Sequence, residues 1–182
     1  MPLDFGATAG RNAAHFWRES RLFEVLGGWV TSTPETSVKL MLDRHSSHHS
    51  WRATQWWERL PVVADVDRAL LVADAASGPW PAALEEAEGL EGSVARLAAA
   101  YRVLLPRLAA DYARHRGAAS PAADGSTLRT LAIVGDDLVS DWVEGELALQ
   151  SLVTSASDAR LAAATVARLE ALICPTATAG ED

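Results

Sequence analysis

Apolar residues recur at helical spacing along almost the whole chain, and this pattern restricts the fold more than any other feature. The clearest stripe contains Phe16, Glu19, Leu22, Leu26 and Trp29, each three or four residues from the next. Such spacing indicates an amphipathic α-helix with one face toward a core. The alternation typical of a half-buried strand is almost absent. The sequence therefore predicts an all-α protein.

Breaks in this periodicity predict a first helical hairpin over about residues 12–60. Its helices are expected over about 12–30 and 34–60, separated by a short polar turn. Thr33 has the side chain of an N-cap residue, and Pro34 suits the first position of the second helix because it has no amide hydrogen to donate. The two helices are expected to run antiparallel.

A second core hairpin is predicted over about residues 84–152, with a kink at Pro106. A proline inside a helix removes one backbone hydrogen bond and clashes with the preceding turn. A short helix over about 61–75 is expected to connect the hairpins, and another helix is expected to end at Ile173. Residues 174–182 are predicted to form a disordered tail.

Length and composition fit a single globular domain formed by residues 1–182, with 49% apolar residues. The net charge of -8 argues against nucleic acid and membrane surfaces as partners. No apolar stretch approaches the roughly 20 residues that cross a bilayer. Since Cys174 is the only cysteine, no intrachain disulfide is possible. We expect a cytoplasmic protein.

Glu19 interrupts the apolar stripe of the first helix, so its carboxyl group should face the core. A buried carboxylate needs a partner or a proton. Counting residues outward from the turn places Glu19 level with about residue 45 of the returning helix. His45 and His49 lie one turn apart on that helix, with His48 beside them. An acid and several imidazoles are therefore expected to converge.

This convergence is open to more than one interpretation. Histidines four residues apart on a helix can share a cation with a carboxylate of the facing helix, as in a metal or acid–base site. Alternatively, Glu19, His45 and His49 form a buried hydrogen-bonded network, joined by Arg52, that only satisfies its own polar groups. Other chemistry is a third possibility.

The second hairpin carries acidic residues at helical spacing, with Asp137, Asp141 and Glu144 on one face. A solvated acidic face is the ordinary interpretation of such spacing. Asp141 follows Leu138 by three residues and is therefore the one of the three that we expect to turn inward. The same count from the loop places Asp141 level with Arg102, which predicts a salt bridge between them rather than a metal ligand.

The chain has seven tryptophans, and three of them, Trp51, Trp56 and Trp57, lie on the second helix. Core packing is the ordinary role for such residues. Because Trp51 and Trp57 lie off the main stripe, they are also candidates for an interface with a second subunit. We therefore predict a homodimer, and a tryptophan-lined pocket that binds a small molecule is a further interpretation.

A resemblance to a known superfamily rests on two stretches. The first contains ESRLFEVLGGWV (residues 19–30), Thr33-Pro34-Glu35, Val38-Lys39 and Arg44-His45; the second contains TLRTL (residues 127–131), Asp136-Asp137 and Gly145. Together these resemble the bacterial ferritin-like four-helix-bundle superfamily. The resemblance implies a four-helix bundle with a crossover connection and additional short and C-terminal helices.

In metal-binding members of that superfamily, two helices carry Glu-x-x-His and the other two each supply a carboxylate. Only Glu19 matches this pattern directly. The second helix has His45-x-x-His48, and the final core helix has Asp137-x-x-Ser140. The resemblance therefore implies a divergent member whose di-iron motif is incomplete.

Two functional hypotheses follow. The first is a ferritin-like bundle without a complete di-iron site and without a cofactor, which acts in binding or scaffolding. The alternative is a metal-dependent oxidoreductase that uses iron or manganese at the cluster of the first hairpin. The candidate metal ligands are Glu19, His45, His48, His49, Asp137 and Asp141.

Overall fold

The computed structural model describes residues 3–64 and 66–174, and this part of the chain is helical without any strand. The helices are α1 (Phe5–Val30), α2 (Thr36–Trp57), α3 (Arg68–Ala75), α4 (Trp80–Glu88), α5 (Ser93–Ala99), a π-helical turn (Ala100–Leu104), α6 (Leu105–Ala118), α7 (Gly125–Leu152) and α8 (Ala156–Ile173). The prediction of an all-α fold is confirmed. Apart from Cys174, the predicted tail lies outside the described residues.

The first hairpin differs from its prediction at the start of α1 and in the turn between the helices. Helix α1 begins at Phe5, earlier than expected, because the Asp4 side chain accepts a hydrogen bond from the amide of Ala7 at 2.7 Å. The prediction that Thr33 caps the second helix was wrong. Its hydroxyl donates to the carbonyl oxygen of Trp29 at 2.8 Å and so satisfies the end of α1.

Helices α1 and α2 run antiparallel and lie close together. Ser46 of α2 donates to the carbonyl oxygen of Phe23, whereas Asn12, earlier in α1, donates to the carbonyl oxygen of Arg59, later in the chain. Gly27 permits the close approach, since a Cβ atom there would lie 2.9 Å from the Ser46 hydroxyl oxygen. The hairpin is thus held in one register.

The long helix expected over about residues 84–116, with Gly89 or Gly92 as candidate break points, is indeed divided there; φ of Gly92 is 77°. Pro106 does not end the helix. Immediately before it, the backbone forms a π-helical turn in which the Leu105 amide donates to the carbonyl oxygen of Ala100. This wider turn makes room for a proline ring and adds one residue to the helical repeat.

Helices α1, α2, α6 and α7 meet around the centre of the structure. Helix α7 runs antiparallel to α2, since Arg44 pairs with Glu144 and Arg52 pairs with Asp137. Helix α6 packs against α7, and α8 covers α4 and α5. The largest side chains of the core include Trp29, Trp56, Tyr101 and the leucines of α1 and α5–α6, all essentially without solvent exposure. Within the described residues, no helix is both long and apolar enough to cross a membrane.

Candidate functional site

Glu19 is completely buried at the centre of the helices, and both of its carboxylate oxygens are used. Oε1 accepts hydrogen bonds from the Tyr112 hydroxyl of α6 and from Nε of Arg52, which is 3.2 Å away. Oε2 lies 2.5 Å from Nδ1 of His49 and 3.3 Å from Nε of Arg52. Burial alone would raise the pKa of Glu19, but Arg52 and His49 hold it below its usual value.

His49 is the histidine that contacts Glu19. An ionised carboxylate only accepts hydrogen bonds, so Nδ1 of His49 must be the donor. Burial lowers the pKa of His49 despite the nearby Glu19 carboxylate. The neutral ring then leaves a lone pair on Nε2, and this buried nitrogen has no hydrogen-bond partner among the described residues.

Arg52 connects the two hairpins through its buried guanidinium group. Besides the contact of Nε with Glu19, its Nη1 donates to Asp137 at 2.5 Å and to Asp141 at 2.9 Å. Burial opposes its charge, but Glu19 and Asp141 raise the pKa of Arg52 above its usual value. One cation therefore lies among three carboxylates that come from α1 and α7.

His45 and His48 lie on the α7 side of α2 and make a second set of contacts. Nε2 of His45 is 3.2 Å from Glu144 and 3.4 Å from Asp141, so this nitrogen donates. Its Nδ1 then accepts from the hydroxyl of Tyr101 at 2.7 Å. Nδ1 of His48 is 2.8 Å from Asp141. Asp141 is thus shared by two histidines and Arg52.

One group of three residues in the described chain could hold a metal ion. A nitrogen of His48 and carboxylate oxygens of Asp137 and Asp141 all lie within 4.8 Å of one another. The surrounding charges favour a cation. With the imidazoles neutral, four carboxylates (Glu19, Asp137, Asp141 and Glu144) and two arginines (Arg44 and Arg52) leave a formal charge of -2.

The structure brings the predicted residues into two adjacent groups rather than one. Glu19 meets His49, one turn beyond the level of residue 45 that counting from the turn predicts, whereas His45 and His48 face Asp141 of α7. The expected salt bridge between Asp141 and Arg102 was wrong. Arg102 instead donates two hydrogen bonds to Glu146, at 2.8 Å and 3.0 Å. Asp141 turns inward as expected and is buried against α2, whereas Asp137 is only partly buried and Glu144 is exposed.

Two tyrosines of the site were absent from the expectations. Tyr101 and Tyr112 occupy apolar stripes and therefore resemble core residues in the sequence. In the structure both rings are buried and both hydroxyls bind polar groups of the network; Tyr112 also accepts a hydrogen bond from Trp56 at 2.9 Å. Burial raises the pKa of both hydroxyls. Nothing in the sequence distinguishes these tyrosines from core residues. Only the structure shows that Tyr112 lies toward Glu19 and Tyr101 toward His45.

The residues present do not fit a di-iron centre. Such a centre needs carboxylates that are free to bridge two ions. Here Glu19 has both oxygens occupied, and Arg52 contributes a fixed positive charge between Glu19, Asp137 and Asp141. A second cation at the same place would be repelled by the guanidinium group. His49 offers a free nitrogen, but it belongs to no group of three ligands in the described residues.

Comparison of the chain with protein-family models, with curated proteins and with solved structures finds no match in any of the three.

Proposed function

We propose that this protein is a ferritin-like four-helix bundle that binds a ligand and does not carry out di-iron chemistry. The observation that supports the proposal best is Arg52, whose guanidinium group lies between the carboxylates that would otherwise share metal ions. In this proposal the central network is structural. It fixes the relative positions of α1, α2, α6 and α7, and a site elsewhere on the bundle receives the ligand.

The arrangement of the helices supports the bundle part of the proposal. Residues pair in antiparallel order between α1 and α2 and between α2 and α7. The same order holds between α7 and the helix formed by the π-helical turn and α6. Glu19 and Arg52 connect all four helices through Tyr112, His49 and the aspartates of α7. A hydrogen-bonded network with this many partners gives a core one preferred arrangement.

Elemental analysis of protein purified without a histidine tag tests the proposal. After incubation with ferrous iron and removal of free metal, we expect no pair of iron ions per chain. Glu19→Gln and His49→Gln variants should contain as little iron as the wild type. Two equivalents of iron in the wild type, lost in both variants, would overturn the proposal.

A second candidate function is suggested by His48, Asp137 and Asp141. A nitrogen and two carboxylate groups at this spacing suit a single divalent cation such as manganese, iron or zinc. His48 is partly exposed, so an ion can reach it without crossing the core. When bound, such an ion would supply Lewis-acid or redox chemistry next to Tyr101 and His45. Arg52 would remain in place and hold Asp137 and Asp141 in position.

The same elemental analysis separates the two candidates. A mononuclear site predicts one equivalent of metal that is lost in His48→Gln and kept in His49→Gln. Asp136→Asn is a matched control, because Asp136 is an exposed carboxylate next to the group and outside it. One equivalent with this dependence would favour the metal-dependent alternative, and its absence would favour the metal-free binding protein.

The homodimer also remains a proposal, and exposed apolar residues support it. Trp51 is 43% exposed, and Val139, Val143 and Leu147 form an exposed stripe along α7. Light scattering of the wild type and of Val143→Glu tests the α7 stripe as a dimer interface, since a charge within such an interface should yield monomers. We propose a cytoplasmic location, because one cysteine permits no intrachain disulfide.

A further inference from the structure

A cavity of about 350 Å³ lies between the first half of α1 and the last half of α6. It is separate from the Arg52 network, although Tyr112 lies against His15 at one side of it. The polar residues that line it are Arg11, His15, Arg18, Asp111, Arg114 and His115. Its volume is within the range of small-molecule sites, which begins at about 300 Å³.

The cavity is positively charged, although the chain as a whole carries a charge of -8. Three arginines line it, against one carboxylate. Asp111 is already used twice, since it pairs with Arg18 at 2.9 Å and with Arg114. Arg11 has no ion pair with any carboxylate of the described residues. Two of the three positive charges are therefore uncompensated within the cavity.

Two buried histidines add polar groups without partners. Nε2 of His15 lies 3.0 Å from Nδ1 of His115, so the rings share one hydrogen bond. The second nitrogen of each ring, Nδ1 of His15 and Nε2 of His115, is buried and has no partner among the described residues; the same is true of Nε of Arg18. Buried polar groups are normally satisfied, and each exception needs an explanation.

The hydrogen bond between the rings determines what the free nitrogens can do. When both rings are neutral, one nitrogen of the shared bond donates and the other accepts. Of the two remaining nitrogens, one is then a donor and the other an acceptor, whichever tautomer is present. If the pair takes up one proton, both remaining nitrogens become donors. The neutral pair can therefore bind a protonated oxygen group, which both donates and accepts. The protonated pair can bind a fully ionised oxygen group, which only accepts.

We propose that this cavity binds a small oxyanion, a carboxylate or phosphate group, with Arg11 as its main ionic partner and the histidine pair as hydrogen-bond partners. The inference deepens the proposed binding function and rests on it for the view that the bundle carries a ligand. Charge-assisted hydrogen bonds from arginine are the strong contacts in such sites. The remainder of the ligand would occupy the volume beside Ala14 and Gly10.

Calorimetric titration of the full chain with inorganic phosphate and, separately, with succinate tests the proposal at constant ionic strength. We expect saturable one-to-one binding of at least one of these probes. Binding of phosphate alone would assign a phosphate group, binding of succinate alone a carboxylate group, and binding of both a general oxyanion site. If neither probe binds, the proposal is wrong.

Variants locate the binding. Arg11→Gln should weaken it about tenfold, as expected for the loss of one charge-assisted hydrogen bond. Arg160→Gln is the matched control, because Arg160 is an exposed arginine of α8 outside the cavity. The affinity of this variant for the anion should equal that of the wild type. Equal affinities in the two variants would overturn the proposal. Arg11 is only half-buried, so its replacement does not depend on the bundle tolerating a core change.

His115→Gln gives a second measurement. Because only the protonated pair donates from both free nitrogens, the wild type should take up a proton when ionised phosphate binds. Glutamine keeps a donor and an acceptor but cannot take up a proton, so this uptake should be lost in the variant. Heats of binding compared in buffers of different ionisation enthalpy measure the uptake. Unchanged proton uptake would contradict the role of the histidine pair. This outcome is distinct from failure of the proposed function, because two equivalents of bound iron would overturn that function without altering the anion titrations.

Discussion

The two polar regions of the bundle differ in how completely their groups are paired. Around Arg52, carboxylates outnumber cations and both oxygens of Glu19 accept hydrogen bonds; among the described residues, Nε2 of His49 and Nη2 of Arg52 are the buried atoms of this network without a partner. Around His15 and His115, arginines outnumber carboxylates, buried nitrogens of three residues lack partners, and about 350 Å³ is open. A network whose charged groups are paired stabilises a fold, whereas unpaired polar groups beside an open cavity are typical of a ligand site.

This difference also explains why the more conspicuous residues are the less informative ones. Glu19, His45 and His49 attract attention in the sequence because they are polar residues on apolar stripes. Their partners are nearly all within the protein, so little binding capacity remains. The cavity residues are commonplace arginines and histidines, and their importance depends on the absence of protein partners. If one region is structural and the other binds a ligand, changes in the two regions should differ in their effects on stability and on binding.

The largest effect is expected from Arg52→Met. Removal of the guanidinium group leaves Glu19 and Asp141 buried without their cation, and breaking a buried ion pair from one side costs about 3–5 kcal/mol. Urea denaturation should show this loss in the free energy of unfolding. Oxyanion binding at the cavity should be retained wherever the variant is folded.

Arg102→Met provides the control for this change. Arg102 also pairs with a glutamate, Glu146, but both side chains are partly exposed. Exposed pairs contribute about 0–1 kcal/mol, so the variant should remain close to the wild type. Similar losses in the two arginine variants would show that the central network has no special structural role.

A smaller effect is expected from pH, and His115 of the cavity region contributes to it. Burial and the charge of Arg11 lower the pKa of His115 to about 4. In the unfolded chain the ring protonates near pH 6.5, so protons favour the unfolded state between these values. Stability should therefore be complete above about pH 6.5 and fall by about 3 kcal/mol as the pH decreases toward 4.

The groups that face the two histidines determine this behaviour. His15 is faced by His115, Arg18 and Arg11, which all lower its pKa after burial, while Asp124 acts in the opposite direction on His115. The histidines of the central network, His49 and His45, should respond over the same range, because burial lowers their pKa as well. The pKa of Glu19 is held below its usual value, so its contribution is lost only at lower pH, as that carboxylate protonates. Urea unfolding of His115→Gln at several pH values should show a flatter profile between 6.5 and 4. A profile as steep as that of the wild type would assign the acid sensitivity to other groups.

The sequence predicts the first hairpin better than the second. The approach of Glu19 to the histidines of α2 follows from the rise per residue and the position of the turn, although the contact is with His49, one turn beyond residue 45. The same count places Asp141 level with Arg102 inside the second hairpin, but Asp141 is turned toward α2 of the first hairpin, so the expected salt bridge was wrong. The π-helical turn before Pro106 adds to the error, since it shifts the register by one residue and has no clear sequence signature.

The cavity between α1 and α6 could not be predicted from the sequence, for a different reason. His15 lies one turn before Glu19 on the same stripe, so its burial could have been inferred. Its partner, His115, is 100 residues away, and nothing local indicates that the two rings meet. The unfilled volume beside them is a property of packing and leaves no pattern in the residue types. Polar residues on stripes can therefore be recognised from sequence, but whether they are satisfied cannot.

The smallest predicted effect compares glycines in the two regions. A Cβ atom at Gly145 would overlap the ring of Tyr101, whereas a Cβ atom at Gly10, which lines the cavity, would meet nothing within 4 Å. Gly145→Ala should displace Tyr101 from His45 and cost about 1–3 kcal/mol, the range for an overfilled core. Gly10→Ala should instead stabilise the protein by about 0.5–1 kcal/mol, because alanine favours a helix interior over glycine. Thermal unfolding of both variants measures the difference. If Gly10→Ala were as destabilising as Gly145→Ala, the space between α1 and α6 would be too small for a ligand, and the contrast between the two regions would not hold.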